Sequence, residues 1–247
     1  MPPKILVISG PTASGKTRLA VELALRHGGE VVSADSMQVY RRMDIGTAKP
    51  TPEEMRGIPH HMLDVADPEE DFSVARYVEL AAPCVDDILA RGKLPIVAGG
   101  TGLYLDSLLS GRTFAPFSPD GGLRARLEAR FDALGGEAML GELAAADPEA
   151  AARLHPNDRK RIVRALEVFQ QTGKTISQHN RETRALPLRY DALTLSLAFQ
   201  RREDMWARID RRVDEMMAAG LAEEVRALLD SGVPVRCTAM QALCYKE

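Results

Sequence analysis

The sequence predicts an α/β fold, a three-layer core on a parallel sheet plus a helical insert domain. Three observations predict it. Short apolar runs alternate with helical spacing over the first 111 residues, the order that a parallel sheet with helices on its faces requires. A glycine-rich turn stands directly between the first apolar run and the first helical segment. The strand pattern then stops and returns only near residue 193.

Each element has its own signal. Lys4–Ser9 (KILVIS) is a nearly continuous apolar run and reads as a buried strand. Lys16–Arg26 places Leu19, Ala20, Leu23 and Ala24 on one helical face, and Val31–Ala34 is a second strand ended by Asp35. Phe72–Arg91 reads as a helix interrupted by Pro83, and Leu94–Ala98 as a third strand running into Gly99-Gly100-Thr101-Gly102. The run Phe114–Gly122 is rich in turn formers, and the next seventy residues read as short helices. A strand is expected at Leu193–Phe199, then helices at Glu203–Ala219 and Leu221–Asp230 with Gly220 and Gly232 as stops. Trp206 and the methionines of the first of these helices are expected in the core. The domain division that follows is a core of residues 1–111 and 190–247 and an insert of residues 112–189.

Composition excludes several classes. At 45% hydrophobic the chain is too apolar for disorder. No apolar run approaches a membrane span, and MPPKILVISG lacks a signal-peptide pattern, so no membrane partner is expected and the expected setting is cytoplasmic. Three widely spaced cysteines make neither a disulfide framework nor a zinc site. The net charge of −3 hides an asymmetry: residues 153–212 carry 14 Lys/Arg against 7 Asp/Glu, a net of +7 on an otherwise acidic body. Such a segment suits an anionic polymer, but from charge alone solvated helix faces are the preferred reading.

Gly10, Pro11, Thr12, Ala13, Ser14, Gly15, Lys16 and Thr17 fit G-x-x-x-x-G-K-[ST], so the core is expected to contain a P-loop, a phosphate-binding loop. Glycines let successive N–H groups face an anion, the helix N-terminus adds its positive dipole end, and Lys16 adds a charge. The Thr17 hydroxyl is the expected Mg²⁺ ligand. The loop does not name the reaction. ATP and GTP hydrolases need a second strand ending in an acid, whereas Leu94–Ala98 ends in Gly-Gly-Thr; Asp35 could fill that part. Asp35 lies past a strand's carboxyl end, where it could accept a proton or cap the next segment, and Ser36 and Gln38 supply groups suited to a base edge. The adjacent His60 and His61 read as structural. On a helix from about Asn157, Ile162, Ala165, Leu166 and Phe169 share one face, with Lys160, Arg161 and Arg164 nearly opposite.

GPTASGKT, DSMQVY, GTAKP, HHMLDV, FSVARY, GGTGLYL and NDRKRIVRALEVFQQTGK occur in the order found in the tRNA dimethylallyltransferases (tRNA isopentenyltransferases), and the resemblance runs from Ile5 to Glu247. It implies transfer of a dimethylallyl group from dimethylallyl diphosphate to N6 of the adenosine 3′ of the anticodon. The P-loop would then hold the donor's diphosphate with Mg²⁺, and Asp35 would take the amine's proton. The resemblance implies a catalytic role for Lys16, Thr101 and Arg208 as well. It places Asp35, Ser36, Met37, Gln38 and Thr101 beside the adenosine, and Arg124, Lys160, Arg161, Ile162, Val163 and Arg164 on the tRNA. It implies no obligate protein partner.

Three departures stand out. The family that it resembles usually has Gln where Lys160 stands, and reads Gly where Cys244 stands. Relatives continue for several dozen residues past the position of Glu247, so the C-terminal family segment is expected to be absent. The open alternatives are an adenylate isopentenyltransferase acting on free nucleotides, a P-loop small-molecule kinase, and a non-catalytic RNA-binding protein.

Overall fold

A computed structural model of the chain describes residues 2–111 and 121–247. The expected turn-rich segment from Phe114 lies outside the described residues up to position 120, while Gly121 and Gly122 already belong to a helix. The chain divides into two compact units, Met1–Leu109 with Leu188–Glu247, and Ser110–Pro187.

The first unit carries β1 (Lys4–Ser9), α1 (Lys16–His27), β2 (Gly29–Ser33), α2 (Pro52–Met55), β3 (His60–His61), α3 (Val74–Ala90), β4 (Leu94–Gly99) and α4 (Gly102–Leu109). The five strands pair in the order β3-β2-β4-β1-β5, where β5 is Asp191–Ser196, and every pairing is parallel. The central strands are buried on both faces, the condition under which continuous apolar runs such as Ile5–Ile8 form strands. One core cluster packs Val7, Val32 and Val97 against Tyr77, Val85 and Ile88 of α3, and another packs Ile8, Val31 and Ile96 against Ala20 and Ala24 of α1. Because the sheet is parallel, the segments after β1, β2 and β4 all leave the same edge.

Some expectations are corrected. Helix α3 is not interrupted: Pro83 lies within it. The ring sits on the exposed side, where water can satisfy the carbonyl that loses its donor, while Tyr77, Ala81, Val85 and Ile88 are buried on the other. The Tyr77 hydroxyl donates to the Ser33 carbonyl at 3.1 Å and ties α3 to β2. Strand β3 was not foreseen, because two residues carry no period and only pairing with Val31 and Val32 defines them. At the far end of β2 the buried Glu30 carboxylate accepts from Arg91, from Lys93 (2.7 Å) and from His61 (2.8 Å), which gives His61 the structural role expected of it.

After β5 come α9 (Arg202–Ala218) and α10 (Leu221–Asp230), which meet at Gly220. Trp206 is not in the core: it is 52% exposed, with the Arg202 guanidinium 5.8 Å from its ring. Of the methionines of α9, Met216 is buried and Met217 is 55% exposed, because adjacent helical positions face different sides.

The second unit is helical among its described residues: α5 (Gly121–Ala146, bent at Gly135), α6 (Pro148–Ala151), α7 (Arg159–Thr172) and α8 (Ile176–Arg184). Its core joins Leu127, Met139 and Leu143 of α5 to Ile162, Val163, Ala165 and Leu166 of α7. No helix among the described residues is long and apolar enough to cross a membrane.

Candidate active site

Three chain segments build the site at the carboxyl edge of the sheet. The first is the loop from Gly10 to Gly15. Gly15 has φ +89°, which an L side chain rarely adopts, and precedes α1 without a side-chain cap. The first-turn N–H groups of α1 are therefore left for a ligand. The Lys16 ammonium donates to the carbonyls of Gly10 (2.9 Å) and Pro11 (2.7 Å) of its own loop. Burial lowers the Lys16 pKa, with Asp35 opposing that shift and Arg212 adding to it. Thr17 follows in the first turn, half-buried, and its hydroxyl has no hydrogen-bond partner among the described residues.

Helix α9 lies alongside this loop. The Arg208 guanidinium donates to the Ala13 carbonyl at 3.3 Å and rests 5.6 Å from the Phe199 ring centroid. A cleft of about 780 Å³ opens there, lined by Ala13, Ser14 and Gly15 and by Arg18, Arg26, Arg208, Arg211 and Arg212. Arg211 and Arg212 were not singled out from the sequence. Their signal was available, since they stand three and four positions after Arg208 and so share its helical face.

The second segment follows β2. Asp35 Oδ1 accepts from the backbone N–H of Met37 (2.9 Å) and of Gln38 (3.4 Å), while Oδ2 makes no hydrogen bond among the described residues. One oxygen thus caps the following turn and the other stays available. Gln38 is not free to read a base edge as expected. Its Nε2 donates to the carbonyls of Thr47 (3.3 Å) and Ala48 (3.0 Å), and its Oε1 accepts from Ser33 at 3.1 Å. The amide's two protons are both used in holding the 46–49 loop against β2. Met37 is half-buried against the core.

Glu224 of α10 holds the other side of that loop, accepting the N–H groups of Asp44 (2.9 Å), Ile45 (2.9 Å) and Gly46 (3.1 Å). The Tyr245 hydroxyl also donates to it. Sequence reasoning had no signal for Glu224, because its partners lie about 180 residues away. Beside Tyr245, Cys244 has φ +75°, the left-handed conformation that favours glycine.

The third segment follows β4. The Thr101 hydroxyl accepts from the Ser36 N–H at 3.1 Å and reaches the Ser36 hydroxyl at 3.3 Å, instead of capping α4. The Thr101 N–H donates to the Ala34 carbonyl at 3.2 Å. Asp35 and Thr101 therefore sit on two adjacent, directly bonded strand ends. No group of three or more His, Cys, Asp or Glu suited to a metal is found among the described residues.

In the helical unit, Lys160 and Arg161 are exposed and without carboxylate partners among the described residues. Arg164 is 35% exposed and pairs at 2.8 Å with Glu167, whose side chain is 1% exposed. Arg124 pairs with Glu128 at 3.3 Å. Ile162 and Val163, expected on the tRNA, have side chains only 0% and 1% exposed. They belong to the packed face of α7.

Fold and site define a parallel α/β protein whose glycine-rich loop, acidic strand end and threonine gather where open sheets take ligands. A family model described as IPP transferase matches residues 38–247, and one described as isopentenyl transferase matches residues 3–70. The chain is 51% identical over its whole length to tRNA dimethylallyltransferase 1 of Trichlorobacter lovleyi, covering 80% of that protein. It is 50% identical over 99% of its length to the tRNA dimethylallyltransferase of Geobacter sulfurreducens, covering 78% of it. Among solved structures it resembles the full-length tRNA isopentenylpyrophosphate transferase of Bacillus halodurans (TM-score 0.67, 43% identity, 98% of this chain and 75% of that one). It also resembles a eukaryotic dimethylallyltransferase acting on tRNA (TM-score 0.80, 33% identity, 96% of this chain and 58% of that one). The chain belongs to the IPP transferase family, the tRNA dimethylallyltransferases.

Proposed function

We propose that this chain transfers a dimethylallyl group from dimethylallyl diphosphate to N6 of the adenosine 3′ of the anticodon in tRNA, releasing diphosphate. The observation that carries the reading is Asp35: one carboxylate oxygen is fixed by two backbone N–H groups and the other is free, at a strand end bonded to Thr101. An exocyclic amine is a poor nucleophile. As N6 bonds to the allylic carbon, the carbon–oxygen bond to diphosphate breaks and the amine's proton passes to Asp35 Oδ2. The loop N–H groups, Lys16 and Arg208 take up the charge developing on the leaving diphosphate. Lys16 would exchange two carbonyl partners for phosphate oxygens. Ser36 and Thr101 would orient the adenosine.

The donor set fits Mg²⁺, a hard cation that needs one or two protein oxygens beside phosphate and water. Thr17 would hold the ion, and the ion would neutralise diphosphate charge. The unpartnered Lys160 and Arg161 favour a polymer over a free nucleotide as acceptor.

Radiolabelled dimethylallyl diphosphate incubated with unmodified tRNA, and separately with AMP, tests the reading. Label is expected in tRNA alone. Asp35→Asn should lower turnover by about 10²-fold or more while tRNA and donor binding persist. Label in AMP alone, or wild-type turnover in the variant, would refute acceptor or base respectively.

A further inference from the structure

A second cavity lies wholly within the helical unit, apart from the residues assigned to transfer. It holds about 350 Å³ and is lined by Ala150, Leu154, Ala165 and Ile176 and by Arg153, Lys160, Arg161 and Arg164. The floor is apolar and shallowly furnished: Ala150 and Ala165 are buried with only a methyl group each, and Leu154 and Ile176 pack beside them on the unit's core. The rim is cationic. Arg153 and Arg164 pair with Glu149 (3.0 Å) and Glu167 (2.8 Å). Lys160 and Arg161 keep their charges unpaired among the described residues.

An apolar floor beside two carboxylate-paired guanidinium groups, with two free cations at the mouth, suits an apolar ring carried between phosphates. Single-stranded RNA presents that chemistry: unstacked bases are received on apolar surfaces and guanidinium planes, and the flanking phosphates by free Lys and Arg. The volume, at the low end for ligand pockets, suits one nucleoside and excludes a base pair. We infer that this pocket receives one unpaired nucleobase of the tRNA, other than the adenosine that reacts. The inference rests on the proposed tRNA substrate and assigns the helical unit a reading role in addition to backbone attraction.

The test is binding of anticodon stem-loop RNAs in which each unpaired loop nucleotide in turn is made abasic. One position besides the acceptor should weaken binding to the wild-type protein by about tenfold, within the range for one stacked base. Ala165→Leu, which enlarges a side chain lining the pocket, should weaken binding of the intact RNA similarly. It should leave the salt dependence of binding and the donor's KM unchanged, because no phosphate contact is removed. Combined with the sensitive abasic RNA, it should cause little further loss, since both remove the same interaction. If Ala165→Leu does not fold, the same combination is made with Ile176→Ala, which removes part of the floor. The inference is overturned if no abasic position other than the acceptor matters, or if a folded Ala165→Leu protein binds like wild type. Absence of any prenyl transfer to tRNA would instead refute the underlying function.

Discussion

Gly99→Ala tests whether the spacing of two strand ends sets the rate. Gly99 closes β4, and a Cβ there would stand 2.1 Å from the Ala34 carbonyl oxygen and 2.8 Å from its Cα. Relieving that contact to an ordinary separation moves the ends of β2 and β4 apart by roughly 1 Å. The bonds on either side, Ala34 N–H to Ala98 O (2.8 Å) and Thr101 N–H to Ala34 O (3.2 Å), must lengthen with it. Overpacking costs about 1–3 kcal/mol and a weakened hydrogen bond about 1 kcal/mol, so about 2–4 kcal/mol is expected in all. For a chain of this size that lowers Tm by roughly 4–16 °C. Asp35 follows Ala34 directly, and a displacement of roughly 1 Å from Thr101 costs about 10²-fold in turnover. The assays are a thermal melt and single-turnover prenyl transfer, run well below the variant's own Tm. Gly102→Ala is the control, because nothing lies within 4 Å of its Cβ and Tm should hold. Wild-type melting and turnover in Gly99→Ala, or an equal loss of Tm in Gly102→Ala, would refute the reasoning.

Lys16→Ala should weaken binding of dimethylallyl diphosphate by about 10–100-fold, as loss of a charge-assisted hydrogen bond does, and Thr17→Ala should raise the Mg²⁺ concentration needed; calorimetric titration showing neither change would refute the loop's assignment. Lys160→Gln with Arg161→Gln should flatten the log–log salt dependence of tRNA binding by just under one unit per contact while Tm holds. Arg164→Gln should instead lower stability by about 2 kcal/mol, because Glu167 is left buried without its partner, and equal melts for the two sets would contradict the pairing. Cys244→Gly should stabilise by about 0.5–1 kcal/mol by relieving a left-handed Cβ residue, net of the greater freedom of the unfolded chain. Cys244→Ala should be neutral, and a denaturant melt ranking Ala at or above Gly would refute backbone strain as the cause.

Much of the fold was legible because burial imposes a period. Strands β1, β4 and β5 and helices α1, α9 and α10 lie within a few residues of their predicted positions. The two-residue β3 and the unbroken α3 were not legible, since one is defined by pairing across the sheet and the other by a buried face that outweighs proline. At the candidate site, residue types at fixed local spacing were readable: the glycine loop with Lys16 and Thr17, and Asp35 at a strand end. Partners distant in sequence were not, among them Glu224 under the 44–46 backbone and the Gln38 amide under the 47–48 carbonyls.

The sequence by itself determined which segments could be strand or helix, where a glycine-rich turn stands between a strand and a helix, and which family's motifs the chain carries. Each is a local property, set by side-chain type and by periods of two or 3.6 residues. Tertiary structure alone decided which of those groups are still available. It bound the Gln38 amide, freed one oxygen of Asp35, buried Ile162 and Val163, and tied Arg164 to Glu167. It also separated the glycines around the end of β4, leaving no room for a Cβ at Gly99 beside Ala34 and open space at Gly102. The physical reason is that hydrogen-bond capacity and space are consumed by neighbours brought together only when the sheet closes, and no spacing along the chain records them.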